Sequence, residues 1–492
     1  KRTLSLLLCL LVAVPSLAFC AFAQENEVSP AEISYEITDP YADVDWDSWG
    51  IYKAQLHTQS NASDGYLPIH EVVERHYDLN YDILALTDHG TINKGWDQKP
   101  QLVPLIRLVK YERTKLAPIY PLTDEEYKAY TTGTAASQTR THNNGMLDVP
   151  QGIELNMATP KCDCHLTGYY ADYGQGLAGV YGDYETPSKG VRRKGGISML
   201  SHVGEYVYPE KDSKDHVGQK IDDYYANKFA RIFLDNKGSS VGMGINSATD
   251  AHTRCDRILY DQILQKTIPN NVVPWGFAFS DSHDVRSIND AYTMMVLPEL
   301  TNENVRKGME NGWCFAVSHY SNGVELNGME EMPGFDEDKV YDTEAYLRDD
   351  TPLVTRVTVD DENDTISIKG TNFNAITWVS NCNVIKRETD IDSGKATLDP
   401  RGRSARHAIS LCQILYHGRQ RHLLFSALRY QKKRRGLRQG QSSENPRSLD
   451  RSARHSYSAR LDLFQVQSHC LGVQVFLPRL QCFRSFLRRI LI

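Results

Sequence analysis

The sequence predicts an α/β protein, a largely parallel sheet closed into a barrel and followed by a smaller, truncated β module. Three observations predict it. Short apolar runs alternate with segments of helical spacing between positions 49 and 320, the pattern of strands each followed by a helix. Histidines and carboxylates recur at the ends of successive apolar runs, and in barrels functional groups gather at the C-terminal ends of the strands. From residue 351 the pattern turns to period-two alternation, the mark of half-buried antiparallel strands.

The chain has 492 residues, 40% hydrophobic and 24% charged, an ordinary globular composition with length for more than one domain. Residues 1–23 read as a secretory signal. Lys1-Arg2 is the basic region, 6–14 is an apolar run too short to span a bilayer, and Ala21-Phe22-Ala23 suits cleavage before Gln24. The expectation is a secreted or periplasmic protein. Disulfides are permitted there, but the 10 cysteines follow no framework spacing. Because the chain begins at Lys1, its start is read as incomplete. No other apolar run is long enough for a transmembrane anchor.

An acidic linker is expected over 24–48, and a first strand over 49–56. Pro68 opens a helix whose apolar face is Ile69, Val72, Val73 and His76. The continuous apolar run 83–87 suits a buried parallel strand. Residues 91–146 read as an insertion, with a capping box at Thr123-Asp124-Glu125-Glu126. Strands follow over 149–155, 196–203, 241–245, 275–279, 291–297 and 313–317. Helices are expected over 221–233, 258–264 and 301–310, the last stopped by Asn311-Gly312. A linker spans 321–350, and the β module spans 351–397, with strands at 353–359, 365–369 and 375–379.

Residues 398–492 differ in kind. From 401 onward there are 19 Lys+Arg and 3 Asp+Glu, leaving residues 1–400 with 36 basic and 59 acidic. A basic arm for nucleic acid, a membrane-surface helix over 476–492, a solvated tail, and the product of a shifted reading frame all fit. The last is favoured, because the change falls inside a strand-and-turn pattern and no folded unit is expected after it. Resequencing the DNA around codons 390–402 tests it. No nucleic-acid partner is expected.

The chemistry concentrates in 56–90. His57 ends a strand, Asp64 lies in a Ser-Asp-Gly turn, and Asp88-His89 end the next strand, where a buried charge demands a partner. Each alone has a bland reading, as a turn or a hydrogen-bonded rim histidine. Further on come Glu154 in an apolar strand, His165, His202 after a strand, and Asp281-Ser282-His283. Separate segments thus each bring a ligand to one mouth, and mixed imidazole and carboxylate suits Zn, Mn or Fe. A water on such a metal becomes hydroxide near neutral pH, so no serine or cysteine nucleophile is required. His89, His202 or Asp281 can shuttle a proton. Arg192, Arg193, Arg254 and Arg257 are candidate phosphate contacts, each otherwise a solvated charge.

In order and context these motifs resemble the PHP family, named for polymerase and histidinol phosphatase, over roughly residues 50–320. The resemblance implies a distorted (β/α)7 barrel, two or three divalent metal ions and phosphoesterase chemistry on a small phosphorylated or phosphodiester substrate. It implies that His57, Glu154 and Asp281 share one metal and that Asp64, His89 and His283 share a second. His165 and His202 would hold a third, bridged by Glu154. It departs from the family at Gln59, where a second histidine is expected, and an amide oxygen is the weaker ligand. Hydrolysis of a carbon–nitrogen bond at the same centre, or a non-enzymatic binding protein with a degraded site, are the competing readings.

Overall fold

The computed structural model describes residues 35–101, 118–158, 163–174, 185–207, 220–246, 256–318 and, with short gaps, 352–432. The expected signal, the 321–350 linker, Arg254, Cys162 and the end of the basic tail lie outside them.

After β1 (Tyr35–Thr38), the chain runs through β2 (Gly50–Gln55), α1 (Ile69–Asp78) and β3 (Ile83–Leu84). α1 forms because Ile69, Val72, Val73, His76 and Tyr77 share a buried face. The stretch 91–146 carries α2 (Asp124–Thr132), whose Thr123–Glu126 capping box is fully made and whose end is turned by Gly133 at φ 75°. Rather than looping away, this stretch is sewn into the core: Trp96, Leu122 and Met146 are buried, and Arg140 donates to the carbonyls of Tyr77 and Tyr81. The acidic 24–48 segment is likewise anchored where described, since Tyr41 is buried and its hydroxyl donates to the Cys314 carbonyl at 2.7 Å.

Then come β4 (Leu147–Asp148), the hairpin β5 (Ile153–Ala158) and β6 (Asp163–Tyr169), α3 (Glu185–Arg193), β7 (Ile197–Ser201) and α4 (Gly204–Val207). α5 (Asp223–Asp235), β8 (Ser240–Asn246), α6 (Asp256–Thr267), β9 (Trp275–Ala278), β10 (Ala291–Leu297), α7 (Asn302–Asn311) and β11 (Cys314–Ser318) follow. The module contributes β12 (Leu353–Asp360), β13 (Thr365–Thr371), β14 (Ala375–Ser380), β15 (Asn383–Glu388) and β16 (Lys395–Leu398).

The architecture is mixed α/β. One sheet of nine strands includes the run β11-β10-β2-β3-β4, and a second has the order β5-β6-β7-β8-β9. Neither closes on itself, and the pairing is less parallel than expected. β2–β3–β4 and β7–β8–β9 run parallel, but β10 is antiparallel to β2, and β6 is antiparallel to both neighbours. The reason is local. Four residues join β5 to β6, enough for a hairpin and too few for a helical crossover. The two sheets meet through isolated bridges, Thr58 with Ser282 and His89 with Glu154.

A third sheet is β12-β13-β16. The basic tail, expected to carry no folded unit, adds β17 (Ile409–Leu415), β18 (His422–Phe425) and β19 (Arg429–Lys432). β17 pairs with β14, β18 joins it to β11, and β19 pairs with β1. Short runs rich in Ile and Leu, such as Ile409–Leu415, suffice for backbone pairing even in an Arg-rich context. Among the described residues no helix is long and apolar enough to cross a membrane.

Candidate metal centre

The site lies where the two sheets meet. β2 runs on into His57 and Gln59, β3 into Asp88 and His89, β7 into His202, and β9 into Asp281 and His283. Glu154 and His165 come from within the β5–β6 hairpin, whose short connection sets both side chains at one edge. Two of these residues hold backbones that side chains rarely adopt, His202 at φ 31° and Asp281 at φ 50°. Such strain persists only where the surroundings enforce it, and it gathers at functional sites.

Glu154 is the hub, and it is fully buried. Its Oε1 lies 2.7 Å from His165 Nδ1, 3.3 Å from His202 Nε2 and 3.6 Å from His57 Nε2. Its Oε2 lies 3.0 Å from His89 Nδ1 and accepts from Gln59 Nε2 at 2.6 Å. Burial alone would raise this carboxyl, but His89, His165 and His57 together hold it well below the usual carboxylate range. Asp281 stands opposite, 3.2 Å from His57 Nε2 and 3.6 Å from His202 Nε2. Asp64 Oδ1 is 3.2 Å from His283 Nε2 and 3.7 Å from His89 Nε2. Burial lowers the His283 imidazole, yet the Asp281 and Asp64 carboxylates outweigh it and raise it to about 10.

Three triads have ligand atoms close enough to share one ion: His57–Glu154–His202, Asp64–His89–His283, and His89–Glu154–His165. The second is the grouping the sequence resemblance implies. The other two redistribute the ligands, with His202 beside His57, and His89 beside His165. Glu154 and His89 each belong to two triads, so the three places adjoin.

The donor set fits a divalent cation. His57 Nε2 is buried with no hydrogen-bond partner, while its Nδ1 is 2.7 Å from Thr87 Oγ1. Thr87 in turn donates to the Thr58 carbonyl, so His57 Nδ1 carries the proton and Nε2 presents a lone pair inward. His283 Nδ1 donates to the Asp281 carbonyl at 2.8 Å, which leaves its Nε2 facing Asp64. Fixing the outer nitrogen in this way is how proteins orient histidine ligands.

Asp88 does not join the ligand atoms. Its carboxylate accepts from Ser60 N at 2.7 Å, Ser60 Oγ at 2.8 Å, Ser63 Oγ at 2.7 Å and Asn93 Nδ2 at 3.1 Å. Burial raises this carboxyl, and the serine hydrogen bonds work against that rise. Its oxygens are spent on shaping the 59–65 turn, so it positions ligands rather than supplying one. Gly65 closes that turn. A Cβ there would stand 2.7 Å from the Gln59 carbonyl carbon and oxygen.

The arginines fare differently from expectation. Arg192 and Arg193 end α3, before β7 begins, whereas His202 follows its last residue; a five-residue strand separates them by roughly 16 Å. Arg192 donates to the Asp235 carbonyl instead. Arg257 is buried in the first turn of α6, beside Asp256, whose carboxylate accepts from Gly204 N. Sequence reasoning did not single out Thr87, Ser63 or Asn93. Their only signal is proximity to ligand-type residues, with hydroxyl or amide groups where strands end.

No protein-family model and no curated protein sequence matches this chain. Among solved structures it is similar to a two-domain protein from Bacteroides vulgatus containing a predicted PHP-like metal-dependent phosphoesterase, at 13% identity and TM-score 0.38, over 80% of this chain and 98% of that one. It is similar to an amidohydrolase from Chromobacterium violaceum at 14% identity and TM-score 0.29, over 52% and 95%. It is also similar to a lesion-specific endonuclease from Pyrococcus furiosus at 6% identity and TM-score 0.27, over 53% and 56%. None of the three reaches a TM-score of 0.5, and what the centre can do follows from its own side chains.

Proposed function

We propose that this chain is a metal-dependent hydrolase, a phosphoesterase acting on a small phosphorylated molecule or a phosphodiester. One observation carries the reading: a buried Glu154 within 3.6 Å of ring nitrogens from His57, His89, His165 and His202. Four imidazoles around one buried carboxylate make a poor core and a good ligand set. In this reading β2, β3 and β5–β9, joined by the two isolated bridges, complete a distorted seven-stranded barrel with the centre at its mouth, and residues 1–23 export the protein.

Asp64, His89 and His283 would hold one cation, and His57, Glu154 and His202 another, with His165 able to join at Glu154. Adjacent divalent ions (Zn, Mn or Fe) supply an activated water and charge stabilisation for both the attacking and leaving oxygens of a phosphoester. The chain's own part is orientation and proton transfer. Thr87 and the Asp281 carbonyl fix the His57 and His283 rings, and the Asp88 network fixes the Asp64 turn. Asp281, with its carboxylate partly exposed, can accept a proton at the mouth, and His89 and His202 can pass one on.

The test is a chain stripped with chelator, reloaded with Mn or Zn, and assayed against aryl phosphate mono- and diesters and against amides. Phosphoester turnover that returns only with metal is the expected result. Turnover of amides alone would favour carbon–nitrogen hydrolysis. No cation bound and no turnover would favour a binding protein.

A further inference from the structure

Gln59 is buried and oriented. Its Nε2 donates to Glu154 Oε2 at 2.6 Å and reaches Asp281 Oδ1 at 3.5 Å. Its Oε1 lies 2.9 Å from Ser63 Oγ, whose single proton is shared with Asp88 Oδ1 at 2.7 Å. The polarity matters. An amide NH2 carries two donors and no lone pair for a metal, whereas the amide oxygen is the ligand atom, and here that oxygen points away from Glu154. Rotating the amide would set Oε1 against Glu154 Oε2, acceptor against acceptor, with only a cation or a proton to hold them together. Nε2 would then donate to Ser63 Oγ, and the single Ser63 proton would go to Asp88.

We propose that the Gln59 amide nitrogen takes the place of a divalent cation between Glu154 and Asp281, so that the centre holds two cations tightly rather than three. This rests on the metal-centre reading above. The two that remain are the Asp64–His89–His283 place and the His57–Glu154–His202 place. A hydrogen-bonding amide keeps the two carboxylates apart without bringing charge.

The decisive variants are Gln59→Glu, an isostere that cannot donate to Glu154, and Gln59→His, which offers a ring nitrogen. Full-length wild type and both variants are loaded with Mn or Zn, desalted, and their bound metal counted by elemental analysis alongside native mass spectrometry, with circular dichroism to confirm folding. The expected result is one more metal equivalent in each variant than in wild type. Gln59→Glu should also melt lower than wild type without metal, through added negative charge, and recover on loading. Equal stoichiometry in folded variants, or three tight equivalents in wild type, overturns the inference. The hydrolase reading fails separately, if wild type hydrolyses nothing with any metal. The inference is read from the difference between variant and wild type, so the two failures are distinguishable.

Discussion

At the scale of single residues, Glu154 and Asp88 separate two roles that look alike in sequence. Both are carboxylates without solvent exposure. Glu154 faces imidazole nitrogens, and Asp88 faces two serines and an asparagine. Glu154→Gln removes the charge on which four histidines converge, so metal affinity should fall by at least about 100-fold, read by competition with a chromogenic chelator. Asp88→Asn keeps the ligands and loosens the turn that carries Asp64, so the loss should be about 10-fold, the scale of an outer-shell change. An equal loss in both would place Asp88 among the ligands after all. Gly65 is the companion case. Gly65 N donates to the Ser60 carbonyl at 3.0 Å, and a methyl there would collide with the Gln59–Ser60 backbone. Gly65→Ala should therefore weaken metal binding about as much as losing a ligand, by isothermal titration, while far-UV circular dichroism stays that of wild type.

At the scale of elements, a helix can be anchored well and still stand apart from the chemistry. α2 begins with Thr123 Oγ1 accepting from Glu126 N and Glu126 Oε2 accepting from Thr123 N. Thr123→Ala should cost about 1 kcal/mol in chemical denaturation and leave metal stoichiometry unchanged. That capping box was legible in sequence because it is written in consecutive residues. The same holds for α1, for α7 with its Gly312 stop, and for β12 and β13, whose signals are periodic and local. What was not legible depends on partners far along the chain. The reversal of β6 depends on how short the β5–β6 connection is, and nothing in the Cys162–Cys164 stretch announces a hairpin. The distant placement of Arg192 and Arg193 follows from which end of β7 they precede, a matter of strand direction rather than of local charge. The candidate ligands were visible because metal chemistry restricts residue type at strand ends. Their division among triads was not, since that depends on distances between His57 and His202, or His89 and His165, that no spacing encodes.

At the scale of the whole molecule, parts that read as separable are stitched together by buried polar groups, and those groups make the fold sensitive to pH. The hairpin turn between β14 and β15 docks on α6, with Cys382 N donating to the Asp261 carboxylate, which burial raises to about 6. Asp148 at the end of β4 does the same for the 91–146 stretch. Its Oδ2 accepts from Trp96 N at 2.8 Å, and its carbonyl accepts from Asn302 Nδ2 at 2.9 Å, so it joins that stretch to the sheet and to α7. Burial raises the Asp148 carboxyl from 3.8 to about 7, against the Trp96 hydrogen bond and with some help from Asp97. The sign follows from proton uptake. Between those two values the folded state keeps a proton that the unfolded chain gives up. Stability is therefore greatest below the unfolded value and falls as pH rises through the folded one. From pH 5 to pH 8 the ionised carboxylate should cost on the order of 2 kcal/mol. Asp148→Asn keeps an acceptor for Trp96 and has nothing to ionise, so it should be spared that loss. Thermal melts of wild type and Asp148→Asn, both metal-free, at pH 5 and pH 8 measure it. The variant's advantage should be larger at pH 8 by several degrees, and an advantage unchanged from pH 5 to pH 8 would mean that Asp148 is ionised in the fold throughout that range.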